Sequence, residues 1–483
     1  MPRLNYFLIL FAVLTYFATA GITLRDRLLI HTLHKIERAA VAEPTAEQLF
    51  AGAMHGLSDV CDEYTVYIPY GRQTDYQNEL DNRYKGFGFR IRQFPSLHNG
   101  TDSKRKTTFI SFPLLHSPAF QAGLQSGDQI TAVNGISVET KPLDEIMAML
   151  LKIKGKKAAE VTLSVIPYGT AKPKDFKIKP DVIHSRSVEG DYIENGKPVF
   201  CLETKPDIGY IRITSFSETT VQEFRNALDQ IMQSGAEGIV LDLRDNPGGY
   251  LVGSVEIAQM FLQPQPELDI VVAAKYRSGY EEKHRLASKP PRCLLPVAVL
   301  INGSTASAAE ILSAALQDYR RAAIFGTRSF GKGVVQQIYE LPFHSGIFQM
   351  TGASYRSPLG RNIHRKPEMT ESDEWGIIPD NIIELTETEQ QIVRDYRTLR
   401  SNAVSGERES VLEFFLQQFL ASADLPDFPP DTPADPPFCE GSPSSSPSPR
   451  KGVMSGTSPF YDRQLEEAVR FLTEKTPRRT KSP

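Results

Sequence analysis

A serine and a lysine, twenty-five residues apart, are the side chains in this sequence best suited to chemistry. Ser307 follows the apolar run Val297–Ile301, which has the composition of a buried strand, and lies in a predicted helix over residues 306–317. That helix begins with small residues, so a hydroxyl in its first turn is open to a substrate. The unpaired backbone N–H groups of a helix start also suit a developing oxyanion. The pattern therefore predicts a nucleophilic serine.

Lys332 stands between Gly331 and Gly333 and precedes the apolar pair Val334-Val335. Because burial disfavours an ammonium group, a lysine in such a setting can lose its proton near neutral pH and act as general base for a serine. Taken singly, each motif has a simpler explanation. Hydroxyls at a strand-to-helix turn are commonly helix caps, and a Gly-Lys-Gly turn is commonly solvated. The pairing of the two motifs favours catalysis.

A second strand-to-turn segment occurs earlier in the chain. Residues 238–244 predict a buried strand, which ends in the turn Asp245–Leu251 and leads to a helix over residues 255–261. A strand, a glycine-rich turn and a helix could also cradle a phosphate. However, no G-x-G-x-x-G pattern and no Walker lysine follows, so the sequence argues against a nucleotide site.

Composition excludes several classes of protein. The 483 residues allow about two to four domains, with 40% apolar and 23% charged residues, as is ordinary for soluble protein. A net charge of −4 gives no indication of a nucleic-acid partner. The four cysteines form no CxxC motif and no Cys/His cluster, and the nine histidines include no HExxH motif. The sequence therefore predicts no metal site, no cofactor and no disulfide framework.

The N-terminal segment predicts export. Arg3 precedes an uncharged run over residues 4–22, which Arg25-Asp26-Arg27 closes. This run could just span a bilayer, while Ala18-Thr19-Ala20 is typical of a signal-peptidase site. Cleavage and retention as an anchor both stay open. We expect a protein of the periplasm or cell envelope, either released or anchored to the inner membrane by residues 4–22.

The motifs resemble those of the carboxyl-terminal processing peptidases, also called tail-specific proteases. The resemblance is carried by residues 304–310 (STASAAE), by Phe330-Gly331-Lys332-Gly333 with Gln336, and by residues 241–249 (LDLRDNPGG). It implies a serine-type endopeptidase with Ser307 as nucleophile, Lys332 as general base and Gln336 as the residue that orients the lysine. The oxyanion hole would be formed by backbone N–H groups of Gly248 or Gly249 and of Ala308. Ser304, where glycine is common in the family, leaves a second hydroxyl nearby.

A second resemblance is to the PDZ domain. It is carried by the loop Gly86-Phe87-Gly88-Phe89, by the run Gly127–Gly135 (GDQITAVNG) and by an amphipathic helix near residues 143–152. It implies that backbone N–H groups of Gly86, Phe87, Gly88 and Phe89 capture the carboxylate of a peptide that adds as a β-strand. For the loop alone, a plain hairpin is the alternative.

Together the resemblances imply a mixed α+β, multi-domain fold. It would comprise a helical N-terminal segment, a PDZ domain and an α/β protease core with strand–helix units like those of ClpP and crotonase. The PDZ domain would recognise the accessible C-terminus of a protein or peptide substrate. Two alternatives keep this fold without the chemistry: a catalytically silent PDZ adaptor and a ligand-binding relative. A homo-oligomer or an activating partner also stays open.

The predicted segments follow one another along the chain in a definite order. They are 1–22 (signal peptide or membrane anchor), 23–82 (helical segment), 83–170 (PDZ domain), 171–200 (polar, strand-poor linker), 201–385 (serine protease core), 386–423 (helical extension), 424–457 (disordered Pro/Ser-rich insertion) and 458–483 (C-terminal helix and basic tail).

Overall fold

The computed structural model describes residues 23–95, 106–151, 160–404, 408–422 and 462–475. Within those ranges, no helix combines the length and the apolar character needed to cross a bilayer. The chain divides into two compact units, one of Met1–Tyr76 with Gln336–Gly352 and one of Gln77–Val335 with Ala353–Pro483. The predicted export segment, residues 1–22, and the predicted insertion, residues 424–457, lie outside the described residues.

The first unit contains two helices and a short antiparallel pairing. Thr23 and Thr45 each begin a helix with a capping box, in which a polar side chain three residues on returns the hydrogen bond. The strand at residues 66–68 pairs with residues 347–349. The elements that open this unit are α1 (Leu24–Ala39), α2 (Ala46–Asp59) and β1 (Val66–Ile68).

The second unit begins with an antiparallel sheet that encloses its own core. Its elements are α3 (Gln73–Leu80, which starts in the first unit), β2 (Arg83–Gly86), β3 (Phe89–Pro95), β4 (Lys106–Pro113), α4 (Pro118–Gln121), β5 (Gln129–Val133), β6 (Ile136–Ser137), α5 (Leu143–Leu151), β7 (Val161–Ile166), β8 (Lys174–Ile178) and β9 (Asp181–His184). The strand order is β3-β4-β5-β7-β8, with β6 beside β5, while β2 pairs with β9. Leu163 and Val165 of β7 point to a core that Ile146 of α5 completes.

The prediction of a strand-poor linker over residues 171–200 is wrong. β8 extends the antiparallel sheet and β9 pairs with β2, so both belong to the preceding domain. Phe176 and Ile178 are buried and alternate with exposed charged residues. Those charges make the segment polar on average, although the alternation itself is the pattern of a half-buried strand. The remaining strands here are β10 (Val188–Glu189), β11 (Tyr192–Glu194) and β12 (Lys197–Val199).

A parallel sheet with helices on both faces forms the rest of the second unit. From residue 201 to residue 382 the chain forms β13 (Cys201–Leu202), β14 (Lys205–Ile213), α6 (Thr220–Ser234), β15 (Gly238–Asp242), α7 (Leu251–Ala258), β16 (Ile270–Tyr276), β17 (Glu281–Arg285), β18 (Val297–Ile301), α8 (Ala308–Asp318), β19 (Ala322–Gly326), β20 (Val334–Glu340), β21 (Ile347–Arg356) and β22 (Asn381–Ile382). Most of β20 and the first part of β21 lie in Gln336–Gly352 and so belong to the first unit. The parallel strands run in the order β14-β15-β18-β19-β22. β16 pairs with β17 and with the end of β21 in a separate antiparallel ribbon.

The two central strands position the candidate site. β15 and β18 are buried along their whole length, as strands covered on both faces must be. Asp242 pairs with Leu300, so the carboxyl ends of β15 and β18 lie side by side. The turns that follow these strands therefore meet at one edge of the sheet. This arrangement confirms the predicted mixed fold with strand–helix units.

Three helices complete the described chain: α9 (Glu387–Arg400), α10 (Arg408–Ser422) and α11 (Arg463–Lys475). Leu465, Ala468 and Leu472 of α11 are buried against Val240 and Leu300. The intervening strand residues pack instead with α8, so α8 and α11 cover opposite faces of the sheet. The final helix therefore docks on the core.

Candidate active site

Ser307 lies between the end of β18 and the first residue of α8, which begins at Ala308 rather than at the predicted residue 306. Its backbone has φ 55° and ψ −118°, a conformation that non-glycine residues rarely adopt. Strained backbone persists only where surrounding contacts enforce it, and it clusters at functional sites. The Ser307 side chain is half-buried, whereas Ser304, the second candidate hydroxyl, is exposed in the preceding turn.

The glycine turn after β15 is in direct contact with Ser307. A Cβ on Gly248 would lie 2.7 Å from the Ser307 Cβ and 3.0 Å from the Ala308 nitrogen. The φ of Gly248, 101°, also favours glycine. The Ala306 amide donates to the carbonyl oxygen of Asn246 (2.9 Å), which joins the two turns. A side chain at position 248 would therefore displace the candidate nucleophile.

The three predicted oxyanion donors differ in what their amides contact. The Gly248 N–H donates to Asn246 Oδ1 at 2.8 Å, so it is engaged within its own turn. For the amides of Gly249 and Ala308, no acceptor is found among the described residues. Ala308 is the first residue of a helix, where the amide has no intrahelical acceptor. Gly249 and Ala308 are thus the two candidates that can still receive an oxyanion.

Glu310 links the serine turn to the lysine turn. Its Oε2 accepts hydrogen bonds from the amides of Ser307 (2.9 Å) and Lys332 (2.8 Å). Its Oε1 accepts from the Gly331 amide (2.7 Å) and from the Ser329 hydroxyl. The same oxygen atom accepts hydrogen bonds from both amides. The backbone nitrogens of Ser307 and Lys332 therefore lie no farther apart than the sum of those two distances.

The electrostatics of Glu310 are unusual for a carboxylate. Its side chain is completely buried, and burial raises the pKa of Glu310 to about 7. The Ser329 hydroxyl and the three backbone amides act in the opposite direction, because they stabilise the charged form. The carboxyl group that holds the two turns together therefore titrates near neutral pH.

The turn that carries Lys332 is closely packed. A Cβ on Gly333 would lie 2.4 Å from the His364 nitrogen, and one on Gly331 would lie 2.8 Å from the Arg365 Cβ. The Arg365 amide donates to the Gly331 carbonyl oxygen (2.9 Å). Glycines flank the lysine because another backbone segment passes at contact distance, and the Lys332 side chain is half-buried rather than solvated.

Gln336 belongs to the first unit, whereas Ser307 and Lys332 belong to the second. Its amide nitrogen donates to Thr351 Oγ1 (2.8 Å), also in the first unit. Its Oε1 is buried and has no hydrogen-bond partner among the described residues. The orientation of Lys332 by Gln336 stays a prediction.

Several side chains without a predicted role hold the turn after β15 and the turn after β18 together. Asn302 Oδ1 accepts from the Asp245 amide, and its Nδ2 donates to Asp245 Oδ1, both at 3.0 Å. Thr305 Oγ1 donates to the Leu243 carbonyl oxygen (2.9 Å). Asn246, completely buried, donates through Nδ2 to the Ile213 carbonyl oxygen (2.8 Å). Their common signal is a polar residue just after a buried parallel strand.

A buried ionic network lies below the glycine turn. Arg244 donates to Asp242 Oδ2 (2.6 Å) and to both carboxylate oxygens of Asp462 (3.0 Å each). Burial acts to raise the pKa of Asp462, but Arg244 and Arg397 outweigh it and hold the pKa at about 2. The network ties the start of α11 to the end of β15, so Arg244 has a structural set of partners.

The predicted carboxylate loop, Gly86 to Phe89, lines a cavity of about 780 Å³ in the second unit. A Cβ on Gly88, whose φ is 76°, would lie 2.2 Å from the Ser117 Cβ, so only glycine fits there. Ser117 Oγ and the Leu114 amide both donate to the Gly88 carbonyl oxygen (2.8 Å). The loop is therefore held rigidly. Its cavity has an apolar wall from α5, formed by Leu143, Met147 and Leu150.

Two family models match this chain. The model of peptidase family S41 matches residues 207–383, and the PDZ domain model matches residues 79–166. A carboxyl-terminal-processing protease of Synechocystis sp. is 38% identical over 275 residues, which are 57% of this chain and 58% of that protein. The carboxy-terminal processing protease CtpB of Bacillus subtilis is 33% identical over 346 residues, 69% of this chain and 66% of that protein.

Among solved structures, the photosystem II D1 C-terminal processing protease is similar with a TM-score of 0.41 and 21% identity, covering 75% of this chain and 94% of that one. This chain covers less than two thirds of the length of the Synechocystis protease named above.

Proposed function

We propose an activity from one premise: this chain belongs to peptidase family S41 and carries a PDZ domain. The proposed activity is that of a serine endopeptidase, which acts on proteins or peptides and uses Ser307 and Lys332 as a catalytic dyad. The observation that carries the proposal is the shared Glu310 oxygen, which accepts from the amides of both residues. This contact supports the proposal because it holds together two turns that come from separate strands.

The proposed chemical steps are those of a serine–lysine dyad. A neutral Lys332 amine takes the Ser307 hydroxyl proton as the oxygen attacks the scissile carbonyl. The amides of Ala308 and Gly249 receive the oxyanion of the tetrahedral intermediate, and the Gly248 amide joins them only if it leaves Asn246. The Lys332 ammonium then protonates the leaving amine, and a water molecule hydrolyses the acyl-enzyme by the same base. The family resemblance assigns the orientation of the lysine to Gln336.

The PDZ domain holds the C-terminal end of the substrate. Its rigid loop, Gly86 to Phe89, provides the carboxylate site, and the apolar wall of the cavity accommodates an apolar last residue. We expect a substrate with a free carboxylate to be degraded faster than the same substrate with an amidated C-terminus. Equal rates for the two would contradict this role of the loop.

Degradation of an unfolded protein with a free, apolar C-terminus tests the dyad. Wild type is expected to degrade it, while Ser307→Ala and Lys332→Ala are inactive. Ser304→Ala is the matched control, because it removes the exposed hydroxyl three residues earlier and is expected to retain activity. Cleavage by all four proteins would exclude Ser307 and Lys332 as the dyad. Binding of the substrate without cleavage by any of them would favour the silent adaptor or an enzyme that needs an activating partner.

Export to the cell envelope completes the proposal. It is supported by the uncharged run over residues 4–22 and its basic flanks. The intact mass of the protein recovered from cells distinguishes the two forms, because cleavage after Ala20 removes residues 1–20 and an anchored protein retains them. Recovery of the full-length chain from the cytosol would contradict export.

A further inference from the structure

The cavity beside the carboxylate loop extends to a set of arginines. Its lining includes Arg186, which follows β9, and residues of α9 in addition to the loop itself. The backbone at Arg186 is held on both sides, because the Ser185 amide donates to the Asn82 carbonyl oxygen and the Ser187 amide donates to Glu223 Oε2 (both 2.9 Å). The Arg186 guanidinium therefore projects from a fixed position.

Charge in the cavity favours an anionic ligand. Five lysine or arginine side chains line it, against three carboxylates. Each of those carboxylates already has a cationic partner, as follows: Asp245 with Arg394 (3.0 Å), Asp395 with Arg92, and Glu189 with Arg212 (3.6 Å). A ligand that brought a further carboxylate would therefore meet positive charge that these pairs do not neutralise.

Arg186 is the arginine best placed to receive such a ligand. Its Nη1 is buried and has no hydrogen-bond partner among the described residues, and no described carboxylate forms an ion pair with it. Its Nη2 has only a long contact, 3.4 Å, to Asn402 Oδ1. That oxygen is directed towards Arg186 because Asn402 Nδ2 donates to Glu189 Oε1 (2.7 Å). A buried guanidinium donor without an acceptor is costly unless a ligand completes it.

We propose that Arg186 binds an acidic side chain among the last few residues of the substrate, while the loop from Gly86 to Phe89 holds the terminal carboxylate. The inference rests on the proposed function, since it assumes that a substrate C-terminus occupies this cavity. It specifies a substrate class: peptides with an apolar last residue and an Asp or Glu shortly before it. Arginine suits this task because its fork of donors matches a carboxylate.

Equilibrium binding of short fluorescent peptides tests the proposal. The protein is the full chain with Ser307→Ala, so that bound peptide is not consumed, and mass spectrometry checks that the peptide stays intact. Peptides with an apolar C-terminal residue carry Glu or Gln in turn at each of the preceding positions. At one position, the Glu peptide is expected to bind about 10-fold more tightly than its Gln partner, as for one charge-assisted hydrogen bond.

Three protein variants separate Arg186 from general charge. Arg186→Gln is expected to remove the preference for Glu peptides, and Arg186→Lys is expected to keep part of it. Lys177→Gln is the control, because it makes the same change in charge at an exposed residue outside the cavity. It is expected to leave the preference intact at physiological ionic strength. Equal binding of Glu and Gln peptides at every position would overturn the proposal, and this comparison needs no change at Arg186. A preference that survives Arg186→Gln unchanged would also overturn it.

An amidated version of each peptide distinguishes failure of this inference from failure of the proposed function. If the free acids bind more tightly than the amides but Glu and Gln are equivalent, only the role of Arg186 fails. If acids and amides bind alike, C-terminal recognition by the loop fails, and this inference fails with it.

Discussion

Glu310 and Asp462 are both buried carboxylates next to the central parallel sheet, one on each face of it. Their pKa values nevertheless move in opposite directions, to about 7 for Glu310 and to about 2 for Asp462. The hydrogen-bond donors to Glu310 are neutral, three amides and a hydroxyl, whereas Asp462 meets the guanidinium groups of Arg244 and Arg397. Burial therefore prevails at the first carboxylate, and ion pairing prevails at the second.

The difference separates the candidate site from the scaffold beneath it. The network around Asp462 keeps its charges throughout the physiological pH range, so it acts as a permanent connection between α11 and β15. Glu310 joins the serine and lysine turns with a carboxyl group that titrates within that range. We therefore expect the candidate site to respond to pH in the neutral range, whereas the scaffold beneath it should not.

Loss of Arg244 is expected to have the largest effect. Arg244→Met leaves the buried carboxylates of Asp242 and Asp462 without their shared cation, which costs about 3–5 kcal/mol of unfolding free energy. Urea denaturation at neutral pH measures it. Arg292→Met is the matched control, because Arg292 forms a bidentate pair with Asp229 at the surface and its loss costs about 0–1 kcal/mol. Equal costs for the two variants would remove the distinction between scaffold and surface.

The pH dependence of stability isolates Glu310. Its pKa is raised on folding from 4.5 to about 7, so the folded chain binds more protons than the unfolded chain between those values. Its contribution to stability is therefore fully present below about pH 4.5 and is lost as the pH rises through about 7, by about 3 kcal/mol. The difference in unfolding free energy between wild type and Glu310→Gln, measured from pH 4.5 to 8, is expected to follow this curve. A constant difference would contradict it.

The activity of Glu310→Gln tests the link between the two turns. The glutamine side chain has one acceptor oxygen where glutamate has two, so its NH₂ group would face two of the four hydrogen-bond donors. We expect the serine and lysine turns to separate as a result. Loss of alignment between reacting groups commonly costs about 100-fold in rate, and kcat/KM is expected to fall by that factor while far-UV circular dichroism is unchanged. Glu256→Gln, on the exposed face of α7, serves as the control and retains activity. Wild-type kinetics in Glu310→Gln would show that the shared oxygen is dispensable.

Asp462 is expected to show the smallest effect and the opposite sign. Its pKa is lowered on folding from 3.8 to about 2, so its contribution is present above about pH 4 and is lost as the pH falls towards 2. This acid loss amounts to about 2 kcal/mol and should be absent from Asp462→Asn. Acid unfolding curves of the two proteins, followed by tryptophan fluorescence, provide the measurement. Parallel curves would mean that Arg244 does not hold the Asp462 charge.

Local pattern was enough to predict the pieces of the site. The apolar run before Ser307, the small residues after it and the glycines around Lys332 each reflect a requirement that neighbouring residues impose: a buried strand, an open helix start, and a turn that another backbone approaches. The linker prediction over residues 171–200 failed because average polarity obscured a two-residue alternation at Phe176 and Ile178. Arg186 carried no pattern of its own, and its position depends on β9, α9 and the loop at Gly88 together.

The sequence by itself indicated the buried strands, the helix start after Ser307 and the need for glycine beside Lys332, because periodicity and backbone conformation depend on adjacent residues. The resemblance of its motifs to a known family named the candidate dyad. Only the tertiary structure decided which atoms meet. It brought Glu310 to the amides of Ser307 and Lys332, engaged the Gly248 amide with Asn246, and paired Arg244 with Asp462, 218 positions further along the chain. Burial and the partners of a charge depend on contacts between remote segments, so two carboxylates of similar intrinsic acidity acquire opposite roles only when the chain is folded.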